Sequence, residues 1–303
     1  RIPIASEVCG LCNNRCKITV ADVEGEKVAF GFLCGRDYGG DKFVDNNRSG
    51  FDLLRERRRI FGPPRRRKPT DRPTIGLPAA LHMADELPLW QGFFARLGIG
   101  TVTSEGYRNG GIREGKRLAR AEFCAPIAAL HGHVHWLLPR CDYVFVPFSL
   151  ERKTAEKEVR RQYCYYTQYA PALLRAALGP DDAARILAPL VHYLYPQFYV
   201  KAQLYRTLAS IRPGIGFFDV AGAYDKAVAA HSAVCAKWRR LYRATVAKTE
   251  GVHVVLLGRP YTVFSEEMNK GIPGILGALG IKAFYQDMLD ADVQSAGAIE
   301  PLL

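Results

Sequence analysis

Short apolar segments alternate with helical periodicities along most of this chain. In the first half, hydrophobic runs predict strands at residues 74–77, 101–103 and 143–146. The helix predicted between the first two strands has an apolar stripe made of Trp90, Phe93, Phe94 and Leu97. A further helix is predicted to begin at Pro126, because proline suits the first helical turn. Strands that alternate with helices indicate an α/β fold with a doubly wound, Rossmann-like parallel sheet.

A second unit of the same kind is predicted over residues 214–303. It begins with a long helix, and strands follow at residues 252–257 and 281–285 with a helix over residues 266–279 between them. Only two strands are found before Leu303, which is few for an open sheet. We therefore expect this second Rossmann-like unit to be truncated, and the sequence to be a fragment of a longer chain.

A small cysteine-rich module is predicted at residues 1–40, ahead of the two sheets. Its cysteines are Cys9, Cys12, Cys16 and Cys34. Alternating residues at 18–23 and 27–30, separated by a turn, predict a hairpin that returns Cys34 towards the other three. A module of this size buries too little apolar surface to fold unaided, so a bound metal is predicted to stabilise it.

Two metals suit this set of four thiolates. Zinc takes four cysteines in a tetrahedron, and a 4Fe-4S cluster also takes four. Three close cysteines and one remote cysteine fit iron–sulfur spacing better than the two CxxC knuckles of a zinc ribbon. The remaining alternative is a set of free thiols in a poorly ordered terminus.

The net charge of +12 among 303 residues comes mostly from one segment. Residues 55–68 carry eight lysines and arginines against one glutamate, and we assign residues 41–73 to a basic linker. The first α/β domain is then residues 74–213 and the second is residues 214–303. Because stacking aromatic residues are few in the linker, a solvated segment is favoured over nucleic-acid binding.

The composition of the chain indicates where in the cell it is expected to be located. No apolar run approaches the length of a membrane span, so no membrane insertion is expected. The chain has eight cysteines, too few for a disulfide scaffold, and it shows no secretory signal. These features predict a reducing, cytoplasmic location.

Two further cysteines stand ahead of predicted helices. Cys124 lies two residues before Pro126, where unpaired N–H groups and the helix dipole stabilise a thiolate. Cys164 lies ahead of Pro171, where another helix is predicted to begin. If both loops lie at the carboxyl edge of the sheet, the two thiols converge there. The alternatives are a small buried residue for Cys124 and an aromatic core segment for Cys164.

Arg259 is a candidate contact for an anion or a partner. It belongs to the segment Gly258-Arg259-Pro260-Tyr261, between a predicted strand and a predicted helix, and its guanidinium can bind a carboxylate or phosphate with two hydrogen bonds. The chain has no Walker A motif, and no GxGxxG motif follows a strand. It therefore shows no nucleotide site of its own.

Several of these segments together resemble the 2-hydroxyacyl-CoA dehydratases and the related CoA-enzyme activase proteins. The resemblance is carried by residues 75–81, 87–90, 93–94, 122–126, 131–133, 142–147, 163–168, 258–261, 269 and 271–273. It runs from about residue 74 to the end. The segment that holds Cys9 and Cys34 also resembles the part that precedes this domain in large fused members.

The resemblance implies an oxygen-sensitive iron–sulfur protein of anaerobic metabolism. In such systems an ATP-hydrolysing activase, separate or fused, delivers an electron of very low potential. The dehydratases use that electron to form a ketyl radical from a 2-hydroxyacyl-CoA and expel water, and related proteins reduce small molecules. By motif match, Cys124 and Cys164 take the positions of ligands to a 4Fe-4S cluster. Some relatives have another cysteine after Pro147, where this chain has Phe148-Ser149, so a third ligand is expected from beyond Leu303 or from a partner, or is absent.

The sequence thus supports one main hypothesis about function. The chain is predicted to be an iron–sulfur electron-transfer or reductase component, either a dehydratase-like lyase or part of an ATP-dependent reductase. Its expected partner is the activase, and an acyl-CoA is the candidate substrate. The alternatives are a zinc-binding scaffold without catalytic activity and a protein that binds nucleic acid through residues 55–68.

Overall fold

The computed structural model describes most of the chain. The described residues are 2–10, 15–32, 38, 47–62, 73–107, 111–119, 121–151, 162–191, 196–249 and 251–289. Cys12, Cys34 and the basic residues Arg65–Lys68 lie outside them.

The strands and helices alternate along the described chain. The strands are β1 (Ile4–Val8), β2 (Lys17–Val23), β3 (Glu26–Phe30), β4 (Thr74–Leu77), β5 (Gly100–Thr103), β6 (Tyr143–Phe145), β7 (Phe148–Ser149), β8 (Ile186–Leu187), β9 (Leu190–Val191), β10 (His253–Leu256) and β11 (Lys282–Tyr285). The α-helices are α1 (Leu53–Phe61), α2 (Met83–Arg96), α3 (Gly111–Ala119), α4 (Ala125–Leu137), α5 (Tyr165–Gln168), α6 (Ala170–Ala177), α7 (Pro180–Ala184), α8 (Gln197–Ala209), α9 (Phe217–Val246), α10 (Pro260–Val263), α11 (Glu266–Asn269) and α12 (Ile272–Ala278). Two short 3-10 helices lie at Leu138–Arg140 and Gln286–Met288.

Contacts divide the chain into two compact units. Unit 1 comprises residues 1–61, 232–258 and 269–303, and unit 2 comprises residues 62–231 and 259–268. The division into four segments drawn from the sequence stays a prediction, because compactness of a folded region is a different criterion from a change in sequence character.

Unit 2 is built around a parallel sheet in the order β5-β4-β6-β8. This confirms the α/β class, while the finer Rossmann-like assignment stays a prediction. The chain leaves β4 to form β5 on one side and returns to form β6 on the other side of β4. In open parallel sheets, such a reversal opens a crevice at the carboxyl ends of the strands, where ligands bind.

The two faces of this sheet bury different side chains because successive strand residues point in opposite directions. Ile75 and Leu77 face one apolar cluster, which includes α2, α8 and the start of α9. Val144 and Val146 face the other cluster, which includes α4, α6 and Tyr261. Helices therefore cover both faces of the sheet.

Unit 1 holds the antiparallel strands β1-β2-β3 and the parallel pair β10-β11. Strands β2 and β3 occupy the segments where the alternation predicts strands. The turn between them contains Glu24 and Gly25, both with positive φ, and the Asp22 carboxylate accepts a hydrogen bond from the Gly25 N–H at 3.1 Å. The predicted return of Cys34 to this hairpin lies outside the described residues.

One helix lies inside the segment that the sequence assigns to a linker. Residues Leu53 and Ile60 of α1 are buried, and because they are seven positions apart they lie on one helical face. Arg57 donates to the Asp287 carboxylate at 2.8 Å and lies over the Phe61 ring. The run of arginines conceals this helix in the sequence, since only two apolar positions mark its inner face.

Candidate metal centre

The carboxyl edge of the unit 2 sheet carries buried polar side chains from several loops. The Ser104 hydroxyl, just after β5, is 2.7 Å from His133 Nδ1 and accepts the Ala79 N–H at 2.8 Å. The Ser149 hydroxyl, in β7, is 2.8 Å from His82 Nε2. These bonds tie the loops that follow β4, β5 and β6 to one another, so this edge is held in one conformation.

Cys124 is the residue that immediately precedes α4. Its backbone is extended, at φ −59° and ψ 154°, and its carbonyl accepts the Ala128 N–H at 3.0 Å. The Cys124 thiol makes no capping hydrogen bond and the side chain is exposed. The prediction that Cys124 stands at the start of a helix is confirmed, and the alternative of a small buried residue is wrong.

Cys164 has the same relation to α5. Its φ of −61° and ψ of 154° are nearly those of Cys124, and its carbonyl accepts the Gln168 N–H at 3.0 Å. A short helix therefore begins directly after Cys164, which the sequence does not predict. The helix predicted at Pro171 is the next one, α6, which holds this proline in its first turn. Cys164 is exposed, so it does not belong to an aromatic core.

Partial burial of the Cys164 thiol raises its pKa, but other contacts outweigh this effect. The Thr167 hydroxyl lies 3.2 Å from the sulfur, and the backbone N–H groups of Thr167 and Tyr166 also donate to it. The positive charge of Arg259 acts in the same direction. The net result is a pKa of Cys164 below its ordinary value, which favours the thiolate that binds metals.

The two cysteine loops lie against each other. The ring of Phe123, the neighbour of Cys124, contacts the ring of Tyr166 edge to face, with centroids 5.5 Å apart. Arg259 interacts electrostatically with both thiols. Two cysteines forty positions apart are therefore placed on one side of unit 2, beside a shared cation.

Arg259 precedes α10, and its guanidinium donates to the Tyr261 hydroxyl at 3.1 Å. Tyr261 is buried in the apolar cluster that also holds Ile127 of α4 and Ala170 of α6. Burial raises the pKa of the Tyr261 phenol, and Arg259 opposes that rise. Sequence reasoning assigns no role to Tyr261, because only the tertiary packing shows that it supports Arg259.

A family model described as a CoA enzyme activase uncharacterised domain matches residues 74–289, which is more than half of the chain. The chain belongs to this family. Comparison with curated proteins and with solved structures gives no match. The matched activase-family region includes Cys124, Cys164 and Arg259, so the two thiols and their cation lie within the family domain.

The thiols of Cys124 and Cys164 are not part of any larger group of metal-binding side chains in the described residues. In these parts of the chain, no three residues among His, Cys, Asp and Glu are grouped to hold a metal ion. The nearby His131 and His133 are buried: His131 stacks on Phe123 and His133 bonds to Ser104. Their arrangement fits packing and loop support.

The amino-terminal cysteines lie in unit 1, ahead of the family domain. The Cys9 N–H donates to the Cys16 carbonyl at 2.9 Å, which extends the pairing of β1 with β2 by one step. Cys9 packs against the small apolar cluster of Cys16, Ile18 and Val20. Two of the four predicted ligands are thus cross-strand neighbours, and Cys12 and Cys34 lie outside the described residues.

Reactivity should separate the thiols of the activase-family domain. Burial raises the pKa of Cys141 to about 11, and its sulfur donates to the Leu137 carbonyl at 3.2 Å. At pH 8 only about a thousandth of this thiol is ionised. We expect iodoacetamide to alkylate Cys141 at least about tenfold more slowly than Cys164, as measured by mass spectrometry of the peptides. Equal rates in the folded protein, with no denaturant present, would contradict the burial of Cys141.

The buried histidines His82 and His133, at the carboxyl edge of the unit 2 sheet, should make the stability of the protein depend on pH. Burial lowers the pKa of His82 and of His133 to about 4, from 6.5. Below pH 6.5 the unfolded chain binds more protons at these positions than the folded chain, so stability falls as the pH drops towards 4. We expect each histidine to contribute a loss of about 2 kcal/mol between pH 7 and pH 5.

Urea unfolding of the activase-family protein at the two pH values measures this loss. Replacing His82 by Gln, or His133 by Gln, should reduce the difference between the two midpoints. An undiminished difference in both variants would assign the pH dependence to other groups.

None of the helices in the described parts of the chain is long and apolar enough to span a membrane.

Proposed function

We propose that this chain is an iron–sulfur electron-transfer or reductase component of the CoA-enzyme activase and dehydratase system, with Cys124 and Cys164 as ligands of its main cluster. The observation that carries the proposal is the contact between two loops that each hold an exposed cysteine at a helix start, with almost the same backbone conformation. Membership of the activase-related family supports the setting.

The chemistry of the two donors fits an iron–sulfur cluster in part. Such clusters are held by cysteine thiolates, and N–H and O–H donors around the sulfurs adjust their potential. Cys164 has these donors from Thr167 and Tyr166. The other ligands of a 4Fe-4S cluster would come from outside the described residues or from a partner. A bound cluster would supply one-electron chemistry, for which the ATP-dependent activase is the proposed donor and an acyl-CoA the proposed substrate.

The amino-terminal cysteines are proposed to hold a second metal centre. Cys9 and Cys16 are held as neighbours by the pairing of their strands, and Cys12 lies between them in sequence. With Cys34 they make a four-thiolate set, which suits a second 4Fe-4S cluster or zinc.

Metal content is the direct test of the proposal. Protein purified without oxygen is analysed for iron, acid-labile sulfide and zinc, and its EPR spectrum is recorded after reduction. Iron and sulfide in equal amounts, together with a reducible EPR signal, are expected. Colourless protein that stays free of iron after anaerobic reconstitution would refute the proposal, and stoichiometric zinc alone would favour a scaffold.

A further inference from the structure

The Cys124 and Cys164 thiols have one charged neighbour in common, Arg259, which is hydrogen-bonded to Tyr261. Arg259 is exposed and lies within electrostatic range of both sulfurs. One of its guanidinium nitrogens donates to the Tyr261 hydroxyl at 3.1 Å, which limits the directions that this long side chain can take. An arginine held in this way has lost part of its conformational freedom before it meets an anion.

Tyr261 gives this pair a rigid base. Tyr261 is only 8% exposed and belongs to the apolar cluster that also holds Ile127, three residues after Cys124, and Ala170, six residues after Cys164. Tyr261 therefore belongs to the same apolar cluster as residues that follow each of the two cysteines closely in sequence. Since its oxygen accepts a hydrogen bond from Arg259, its own O–H group remains to donate to an acceptor.

We propose that Arg259 and Tyr261 form a charge-compensating pair for the Cys124 and Cys164 site. Arg259 offsets the negative charge on the sulfurs, and Tyr261 is a positioning residue that fixes the guanidinium. In the metal-free protein the pair makes the surroundings of the thiols more positive. In the loaded protein, which rests on the proposed function, it stabilises the more negative, reduced state of the cluster and so raises its midpoint potential.

A purely structural role of Arg259 predicts a different behaviour. Arg259 precedes α10, a helix of four residues, and its side chain is exposed, so its replacement should change stability little. If Arg259 had only this structural role, Arg259→Lys and Arg259→Gln would have the same small effect. If Arg259 compensates charge, Arg259→Lys should retain most of the effect, because lysine keeps the positive charge. Lysine loses only the two-pronged geometry of the guanidinium.

The test in metal-free protein compares two alkylating reagents at low ionic strength. Anionic iodoacetate and neutral iodoacetamide both react with the thiolate. The rate of iodoacetate divided by the rate of iodoacetamide therefore does not depend on how much thiolate is present. Arg259→Gln should lower this ratio at Cys124 and Cys164 by about fivefold, the effect of one nearby exposed charge. Arg259→Lys should keep most of the ratio, and Tyr261→Phe should give an intermediate loss.

Arg140→Gln is the matched control. It removes the same charge from an exposed arginine of unit 2, just past the far end of α4, which is about 20 Å long. The ratio at both cysteines should be unchanged in this variant. An unchanged ratio in Arg259→Gln would overturn the proposal, and so would an equal fall in Arg140→Gln.

The loaded protein provides the second readout. With equal iron content, Arg259→Gln should have a more negative midpoint potential than the parent in an EPR-monitored redox titration, and Arg259→Lys should lie between them. A lowered alkylation ratio with an unchanged potential would overturn the effect on the cluster. If no variant or parent binds iron, the proposed function fails, while the alkylation ratio still decides whether the charge pair exists.

Discussion

Cys124→Ala and Cys164→Ala are each expected to abolish the EPR signal of the proposed main cluster. Each substitution removes one of the two thiols that the structure brings to this site, and a cluster that loses a protein ligand is no longer held firmly. The signal of an amino-terminal centre should persist in both variants. Iron content and EPR spectra of the anaerobically reconstituted variants measure the outcome.

Cys141→Ala is the control for these two variants. Cys141 belongs to the same unit, but its thiol is mostly buried and bonded to the Leu137 carbonyl. Its replacement should leave the spectrum of the main cluster unchanged. Retention of the full signal in Cys124→Ala or in Cys164→Ala would remove that residue from the ligand set.

Gly115→Ala is expected to destabilise unit 2 by about 3 kcal/mol or more. Helices α3 and α4 cross so closely that a Cβ at position 115 would overlap the backbone carbonyl of Ala128, and it would lie 3.1 Å from the Gly132 nitrogen. Both are backbone atoms of α4, so a side-chain rotation cannot relieve the overlap. The helix that begins after Cys124 would have to move.

Chemical denaturation measures this loss, and Gly222→Ala supplies the comparison. Gly222 lies in α9, and no neighbouring atom comes within 4 Å of the place that an alanine Cβ would occupy there. Alanine should therefore be neutral at this position or stabilise the helix by up to about 1 kcal/mol. A Gly115→Ala variant as stable as the parent would show that α3 and α4 pack less closely than described.

Hydrophobic runs are sufficient to predict β4, β5, β6, β10 and β11, because buried parallel strands need continuous apolar segments. The two-residue strands β7, β8 and β9 are not predicted, because they are too short to show a pattern. Helices are harder to predict where glycines or charged residues interrupt the apolar pattern of the sequence. The single helix predicted over residues 266–279 is two helices, α11 and α12, separated at Gly271, whose φ is 75°. Helix α3 contains two glycines that weaken its pattern in the sequence, yet Gly115 is what permits its contact with α4.

Only those parts of the candidate site that are marked by local sequence signals can be predicted. A proline after Cys124 marks a helix start, so the position of that thiol follows from the sequence. The helix predicted at Pro171 is α6, but the four-residue helix α5 that follows Cys164 begins at Tyr165 without a proline and is not predicted. The Phe123–Tyr166 contact joins residues that are far apart in the chain, and no local pattern encodes it.

The exposure of Cys124 and Cys164 has a consequence for the exchange of a bound group. Cys124 and Cys164 open to solvent, and Tyr165 beside them is 81% exposed. A chelator in solution can therefore reach anything bound by these two thiols while unit 2 stays folded. Loss of the bound group should then follow the concentration of the chelator, and it should not track the rate at which the protein unfolds.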